Sequence, residues 1–190
     1  EVVSALCQVE IIPVTAEGVN PTMGHYLGGT ELTVTGTGFL AATDTQVTID
    51  DFPLLDQVVV DDTTITGILP QASNGIGLFD VRVTNSLGEA ILTEAFTYGF
   101  IRGVVNGDTR LDIGDAMFLC YWLFNSGAGP DCLEAAEVNG DNLIDLADPI
   151  YLVMYLFRNG PLPLAPFPEA GLDPDAANGF GCFPCPACDP

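Results

Sequence analysis

The sequence predicts a multidomain chain: an all-β antiparallel sandwich over residues 1–99, a small α-helical pair over 100–160, and a proline-rich, disulfide-stapled tail over 161–190. Three observations carry this reading. Up to Gly99, short Val/Ile/Thr-rich runs alternate with Gly, Pro and Asx turns, the mark of half-buried strands. After it the chain repeats itself at an offset of 33 residues, with apolar spacing suited to helices. Beyond Gly160, eight of the 14 prolines and three of the six cysteines crowd into the last 30 residues.

In chain order, residues 1–8 form an N-terminal arm, and a first strand is placed near Val9–Ile12. Strand runs follow at Leu32–Thr37, Gln46–Ile49, Val58–Val60, Thr64–Leu69, Phe79–Thr84 and Ile91–Thr97. Phe79, Val81 and Val83 alternate with Asp80, Arg82 and Thr84, so one face is buried and the other wetted. The apolar arm Glu1–Leu6 is either an extra edge strand of its own sandwich or a strand added to a neighbour. His25 reads as an incidental loop residue between two glycine-bearing turns, and Asp50-Asp51 and Asp61-Asp62 as solvated turn residues.

Several blocks appear here in order: Gly28-Gly29-Thr30; Thr33-Val-Thr-Gly-Thr-Gly-Phe39; Thr64-Ile-Thr-Gly-Ile-Leu-Pro70; Asp80-Val-Arg-Val-Thr-Asn-Ser-Leu-Gly88; and Phe96-Thr-Tyr98. Together, from about Cys7 to Tyr98, they resemble an IPT/TIG immunoglobulin-like domain. The resemblance implies an immunoglobulin-like sandwich. It implies no particular function, because such domains serve as spacers, adhesion modules and dimerisation units.

The repeat is Asn106-Gly-Asp108…Asp112…Asp115, recurring as Asn139-Gly-Asp141…Asp145…Asp148. Calcium takes six to eight oxygen ligands, which a twelve-residue loop supplies from positions 1, 3, 5, 7 (a backbone carbonyl), 9 and 12. In the second copy these are Glu137, Asn139, Asp141, the Leu143 carbonyl, Asp145 and Asp148, with Asn142 at the sixth position, where a left-handed backbone is wanted. Four carboxylates so close together repel one another without a cation, so a calcium ion is expected there. The first copy keeps Asn106, Asp108, the Arg110 carbonyl, Asp112 and Asp115, but has Val104 at position 1 and Thr109 at position 6. It is therefore degenerate, and a second ion is left open. Arg110 beside the loop offers partial charge compensation where the metal is absent.

Each loop opens an apolar helix. The first is expected to bury Ile113, Ala116, Met117, Cys120 and Phe124, the second Leu146, Pro149, Ile150, Val153 and Phe157. Tyr121, Trp122, Tyr151 and Tyr155 then face elsewhere, covering the neighbouring domain or the tail, or forming a protein-binding patch. Pro149 falls in the first turn, where its missing N–H costs nothing. Leu111-Asp-Ile-Gly-Asp-Ala116, its copy Ile144-Asp-Leu-Ala-Asp148 and the Leu-Phe endings at Phe124 and Phe157 are similar to dockerin modules, EF-hand-type pairs spanning here Phe100 to Gly160. That resemblance implies docking to a cohesin-like partner through residues just after each loop. Those positions read Gly114, Asp115, Ala116 and Ala147, Asp148, Pro149, with no Ser/Thr pair.

Proline excludes helix and sheet interior from the tail, so an extended strap is expected. Cys7, Cys120, Cys132, Cys182, Cys185 and Cys188 are disulfide candidates, and one distant histidine gives them no zinc partner. Fifteen pairings are open. Cys120–Cys132 is sterically reasonable, and Cys7 to the tail, within the chain or to the next, is a second.

Composition bounds the function. Four Lys+Arg, all arginine, against 26 Asp+Glu give a net charge of −22, which repels nucleic acid and anionic membranes. The apolar runs Met117–Phe124 and Pro149–Phe157 fall well short of the roughly 18 residues a membrane span needs. Disulfides imply an oxidising compartment, and a start at Glu1 fits a secreted chain whose signal peptide has been removed. No nucleophile elbow, phosphate loop or zinc-protease motif is present, so no enzyme is expected. The expected function is a calcium-stabilised structural protein at the cell surface, assembling with copies of itself into a filament or layer. The alternative is a monomeric adhesion or adaptor module whose helical pair docks another extracellular protein or a glycan.

Overall fold

The computed structural model describes residues 13–174 and 179–182. Two sheets face each other. One has the order β1 (Thr15–Asn20), β3 (Glu31–Thr37), β7 (Thr64–Ile68), β6 (Leu55–Asp61). The other runs β2 (Met23–His25), β9 (Gly88–Gly99), β8 (Gly77–Asn85), β4 (Gln46–Ile49), β5 (Phe52–Pro53). All pairs are antiparallel except β2 with β9, which is parallel.

Period-2 alternation produces the core. Leu32 and Val34 of β3, Val47 and Ile49 of β4, Ile65 of β7 and Val81 and Val83 of β8 are all buried between the sheets. Phe96 and Tyr98 of β9 join them, edge-on to each other. Gly36 is required by close approach: a Cβ there would lie 2.1 Å from the Thr15 carbonyl oxygen, so any side chain breaks the β1–β3 pairing.

The six strand runs expected from the sequence are present, Gln46–Ile49 with the same ends and the others with shifted ends, but three strands were missed. The first described strand, β1, begins at Thr15; the strand placed near Val9–Ile12 and the arm at residues 1–8 lie outside the described residues. β2 carries only three residues and β5 two, too few to show a period. His25 is a buried strand residue, not a loop residue. Its Nδ1 accepts the Leu27 N–H, and its ring stacks on Tyr26. Asp50 is likewise buried: its carboxylate accepts from the backbone and side chains of Ser73 and Asn74. Asp61 and Asp62 do act as turn residues, accepting from Thr63 and from Gly38 and Leu40.

Three helices follow: α1 (Ile113–Asn125), α2 (Leu133–Ala136) and α3 (Ala147–Arg158), with α1 packed against α3. Asp112 and Asp115 cap α1 reciprocally, and α1 and α3 both end in left-handed residues, Ser126 and Asn159, again 33 apart. The buried stripes differ from expectation. They are Asp115, Ala116 and Leu119 on α1, and Asp148, Pro149 and Leu152 on α3. Ala116 and Pro149 are buried as expected and Cys120 is half-buried, whereas Ile113, Met117, Phe124, Leu146, Ile150, Val153 and Phe157 face solvent. Both helices are apolar nearly all round, so apolarity does not set their phase. The loop carboxylates Asp115 and Asp148 do, by turning inward. Trp122 packs against the core, Tyr151 donates its hydroxyl to the Leu162 carbonyl, and Tyr155 meets Phe167 edge-on, while Tyr121 stays exposed.

The tail has no helix or strand among its described residues, only isolated bridges. It lies antiparallel against the domain junction, where Phe100 and Gly171 exchange both backbone hydrogen bonds at 3.0 Å. Gly99 permits this crossing, since a Cβ would meet the Gly171 backbone at 2.5 Å. Cys132 bonds to Cys182, not to Cys120, because Leu133 N–H pairs with the Gly181 carbonyl and aligns the two backbones. Cys120 is unpaired. Cys7, Cys185 and Cys188 lie outside the described residues.

Candidate functional site

The two acidic loops share one wiring scheme. In each, the position-12 carboxylate is fully buried and receives the backbone N–H groups of positions 2 and 9. Asp148 accepts from Val138 at 2.8 Å and Asp145 at 2.8 Å, and Asp115 from Val105 at 2.8 Å and Asp112 at 2.9 Å. The side chains at positions 3, 5 and 9 each fold an Asx turn onto the N–H two residues ahead. Asn139, Asp141 and Asp145 do so in the second loop, Asn106, Asp108 and Asp112 in the first. Asn142 takes the left-handed backbone expected of position 6 (φ 62°), whereas Thr109 is not among the left-handed residues. The first loop has avoided the strained geometry its β-branched residue disfavours.

Burial pushes the carboxyls of Asp115 and Asp148 above the usual carboxylate range. Backbone N–H groups offset this in part, while the neighbouring carboxylates Asp108 and Glu137 add to it. Among the described residues no arginine pairs with either aspartate. A buried acid with hydrogen bonds but no counter-charge is the environment a bound cation relieves. The donor set is all oxygen, which suits a hard divalent ion. Among the described residues, no three or more His, Cys, Asp or Glu side chains gather closely enough to hold a metal alone. The loops offer instead a mixed set of carboxylate, amide and backbone oxygens. In the second loop Glu137, Asn139, Asp141, Leu143, Asp145 and Asp148 would hold the ion. In the first, Asn106, Asp108, Arg110, Asp112 and Asp115 would, with Val104 buried where a ligand would stand.

Sequence reading missed the residue on which the site is built. Arg102 is buried, 2% exposed, where the sandwich gives way to the helices. Its Nη1 reaches the Glu134 and Glu137 carbonyls and, at 3.3 Å, the Glu137 carboxylate. Its Nη2 pairs with Asp173 at 2.8 Å, and its Nε donates to the Ala165 carbonyl. One guanidinium thus ties the second loop, the short helix α2 and the tail strap together. Glu137 Oε1 also accepts from Gly140 and Asp141, so position 1 is doubly engaged. The only sequence signal was one of four arginines, set against 26 acids, standing at a domain junction.

The second notable surface is apolar. Outward-facing residues of α1 and α3 enclose a groove of about 610 Å³, floored by Ala116 and Pro149 and walled by Met117, Tyr121, Phe124, Ile150 and Met154. Tyr121 and Phe124 are 58% and 67% exposed, far more than a monomer's core helices ordinarily leave uncovered. Among the described residues no helix is long and apolar enough to cross a membrane.

Comparison with known proteins bears on the sandwich half. Residues 15–98 match the IPT/TIG domain family, so this stretch is an IPT/TIG domain of immunoglobulin-like fold. The plexin A4 extracellular region is similar over 46% of this chain at 22% identity and a TM-score of 0.42, and this chain spans 8% of its length. SGBP-B from a xyloglucan utilization locus of Bacteroides uniformis is similar over 46% of this chain and 23% of its own (22% identity, TM-score 0.38). The human TIG domain of nuclear factor of activated T-cells, cytoplasmic 4, covers 45% of this chain and 86% of its own (20% identity, TM-score 0.35). Likeness at this level carries no functional argument. No curated protein matches the chain.

Proposed function

We propose that this chain is a secreted, non-enzymatic structural protein, held in shape by calcium, whose IPT/TIG sandwich and helical pair assemble with further copies of the chain at the cell surface. The observation that carries the reading is the outward-turned apolar groove of α1 and α3. Helices that bury aspartates against their loops while leaving Met117, Phe124, Ile150 and Phe157 in water pack that face against another protein surface. The Cys132–Cys182 disulfide supports an oxidising compartment, and a net charge of −22 disfavours nucleic acid and anionic lipid as partners.

The calcium ion would supply charge neutralisation and fix the loop–helix angle. The chain's own residues do the rest: Arg102 fastens the second loop to the tail, and Asp115 and Asp148 orient the helices. Size-exclusion chromatography with light scattering, with and without chelator, tests the proposal. Calcium-dependent growth beyond the monomer is expected. A chain that stays monomeric in both conditions refutes it and leaves the adaptor alternative, in which the helical pair docks a different protein.

A further inference from the structure

Helices α1 and α3 turn Asp115 and Asp148 inward, and the face this leaves outside has the size of a protein interface. Around its groove, Ile113, Met117, Tyr121 and Phe124 of α1 and Ile150 and Met154 of α3 are 42–67% exposed. At about 200 Å² for a fully exposed side chain of this size, the six present roughly 650 Å² to water. Val153 and Phe157 continue the α3 stripe and bring the face to about 850 Å² on the same scale. The largest apolar patch of an ordinary monomer is about 300–600 Å², whereas each partner in a stable protein pair contributes about 800 Å².

The lining selects the partner. Its polar groups are the Cys120 thiol, the Tyr121 hydroxyl and the Asn125 amide, and no carboxylate or arginine stands among them. In a chain of net charge −22 this is a charge-free window. A basic partner, which the acidic surface elsewhere would attract, finds no carboxylate here to pair with. What fits is an uncharged apolar face of equal area, and a second copy supplies one while keeping its own acids away from the seam. The outline is self-complementary as well: Ala116 and Pro149 make a low floor between walls that carry the protruding Met117 and Phe124.

We propose that the α1/α3 face joins two copies of this chain about a two-fold axis, Met117 and Phe124 of each entering the groove of the other, so that four helices pack as a bundle. Such a contact uses the same patch on both copies and closes on a pair. Any larger assembly grows from that pair through a different surface. This interface rests on the self-assembly reading above and names the occupant of the groove as a second copy of this chain.

The three methionines of the chain provide the readout. Met117 and Met154 line the groove, while Met23 stands on β2 of the sandwich at 40% exposure and serves as the internal reference. The full chain in calcium is oxidised with hydrogen peroxide across a dilution series, read by mass spectrometry, beside sedimentation velocity on the same samples. Met117 and Met154 are expected to be protected about tenfold or more relative to Met23 in the pair, and released as dilution yields the monomer. F124D and I150D, one on each wall and each checked by circular dichroism for an unchanged fold, are expected to weaken pairing about 100-fold. A charge facing an apolar seat costs about tenfold, and a two-fold contact carries each substitution twice. Protection that persists in the monomer means that the chain covers its own groove and overturns the interface. Variants that pair like the intact chain, or groove methionines as reactive as Met23 in an assembled chain, overturn this interface and leave the assembly reading standing. A chain that stays monomeric at every concentration with both groove methionines reactive overturns the interface and the assembly reading together.

Discussion

Replacing Arg102 with methionine removes the cation but keeps most of the side-chain volume. The structure sets the size of the effect. Arg102, Glu137 and Asp173 are all nearly inaccessible, with side chains 3%, 4% and 7% exposed. The substitution removes the arginine from the buried carboxylates of Glu137 and Asp173 and from the carbonyls of Glu134, Glu137 and Ala165. Breaking a buried ion pair from one side costs about 3–5 kcal/mol. For a unit of about 60–100 residues, each kcal/mol moves the midpoint by roughly 4–8 °C, so a drop of more than about 12 °C is expected in the transition of the helical unit. Differential scanning calorimetry reads it directly, and the sandwich transition should stay in place. Calcium should recover part of the loss, because the ion meets the Glu137 charge that the arginine no longer balances. Arg82→Met is the control: its pair with Glu89 is exposed, and such pairs contribute little. Equal, small shifts for the two variants would refute the claim that Arg102 organises the junction.

Four further outcomes follow from the same geometry. Cys182→Ser opens a loop closed across a sequence separation of 50, worth about 4 kcal/mol of chain entropy, and should lower the helical transition as much as a reductant does; a reductant-insensitive wild type would contradict it. His25 is held neutral by burial, which lowers its pKa from 6.5 to about 4. The unfolded chain therefore takes up a proton below pH 6.5 while the fold resists until about 4, and stability is lost as pH falls through that window, by at most about 3 kcal/mol. Denaturant melts of wild type and His25→Asn should diverge in slope only there. Gly36→Ala should cost about 3 kcal/mol or more, because its Cβ collides with backbone at Thr15; a mild effect in urea melts would mean β1 pairs differently. Glu137→Ala combined with Asp141→Ala should lower the melting temperature as much as chelator lowers that of the wild type, with no further drop on adding chelator.

The strands legible in the sequence are β3, β4, β6, β7, β8 and β9: β3, β4 and β7 bury every second residue, and β8 and β9 alternate at Val81 and Val83 and at Phe96 and Tyr98. Short strands at β2 and β5 have no period to read, and Thr15–Asn20 hid because Glu17 and Gly18 interrupt its apolar pattern. The repeat was plain, and its loops fold alike down to the hydrogen bonds of Asp115 and Asp148. The helix faces were not legible. In Met117–Phe124 every residue is apolar, so the stripe was assigned by apolarity when a charged pair governed it. Arg102 and Asp173, 71 residues apart, meet only because the strap returns to the junction, a contact no local spacing announces. The Cys132–Cys182 pairing escaped for the same reason.

The central claim is that the duplicated loops are calcium joints. Isothermal titration calorimetry of calcium into the chelator-stripped chain, read beside the melting temperature of the same samples, tests it most directly. Saturable binding of at least one ion per chain is expected, lost in the Glu137→Ala/Asp141→Ala variant and matched by a rise in the helical transition. No binding heat and an unmoved transition in the wild type would contradict the account.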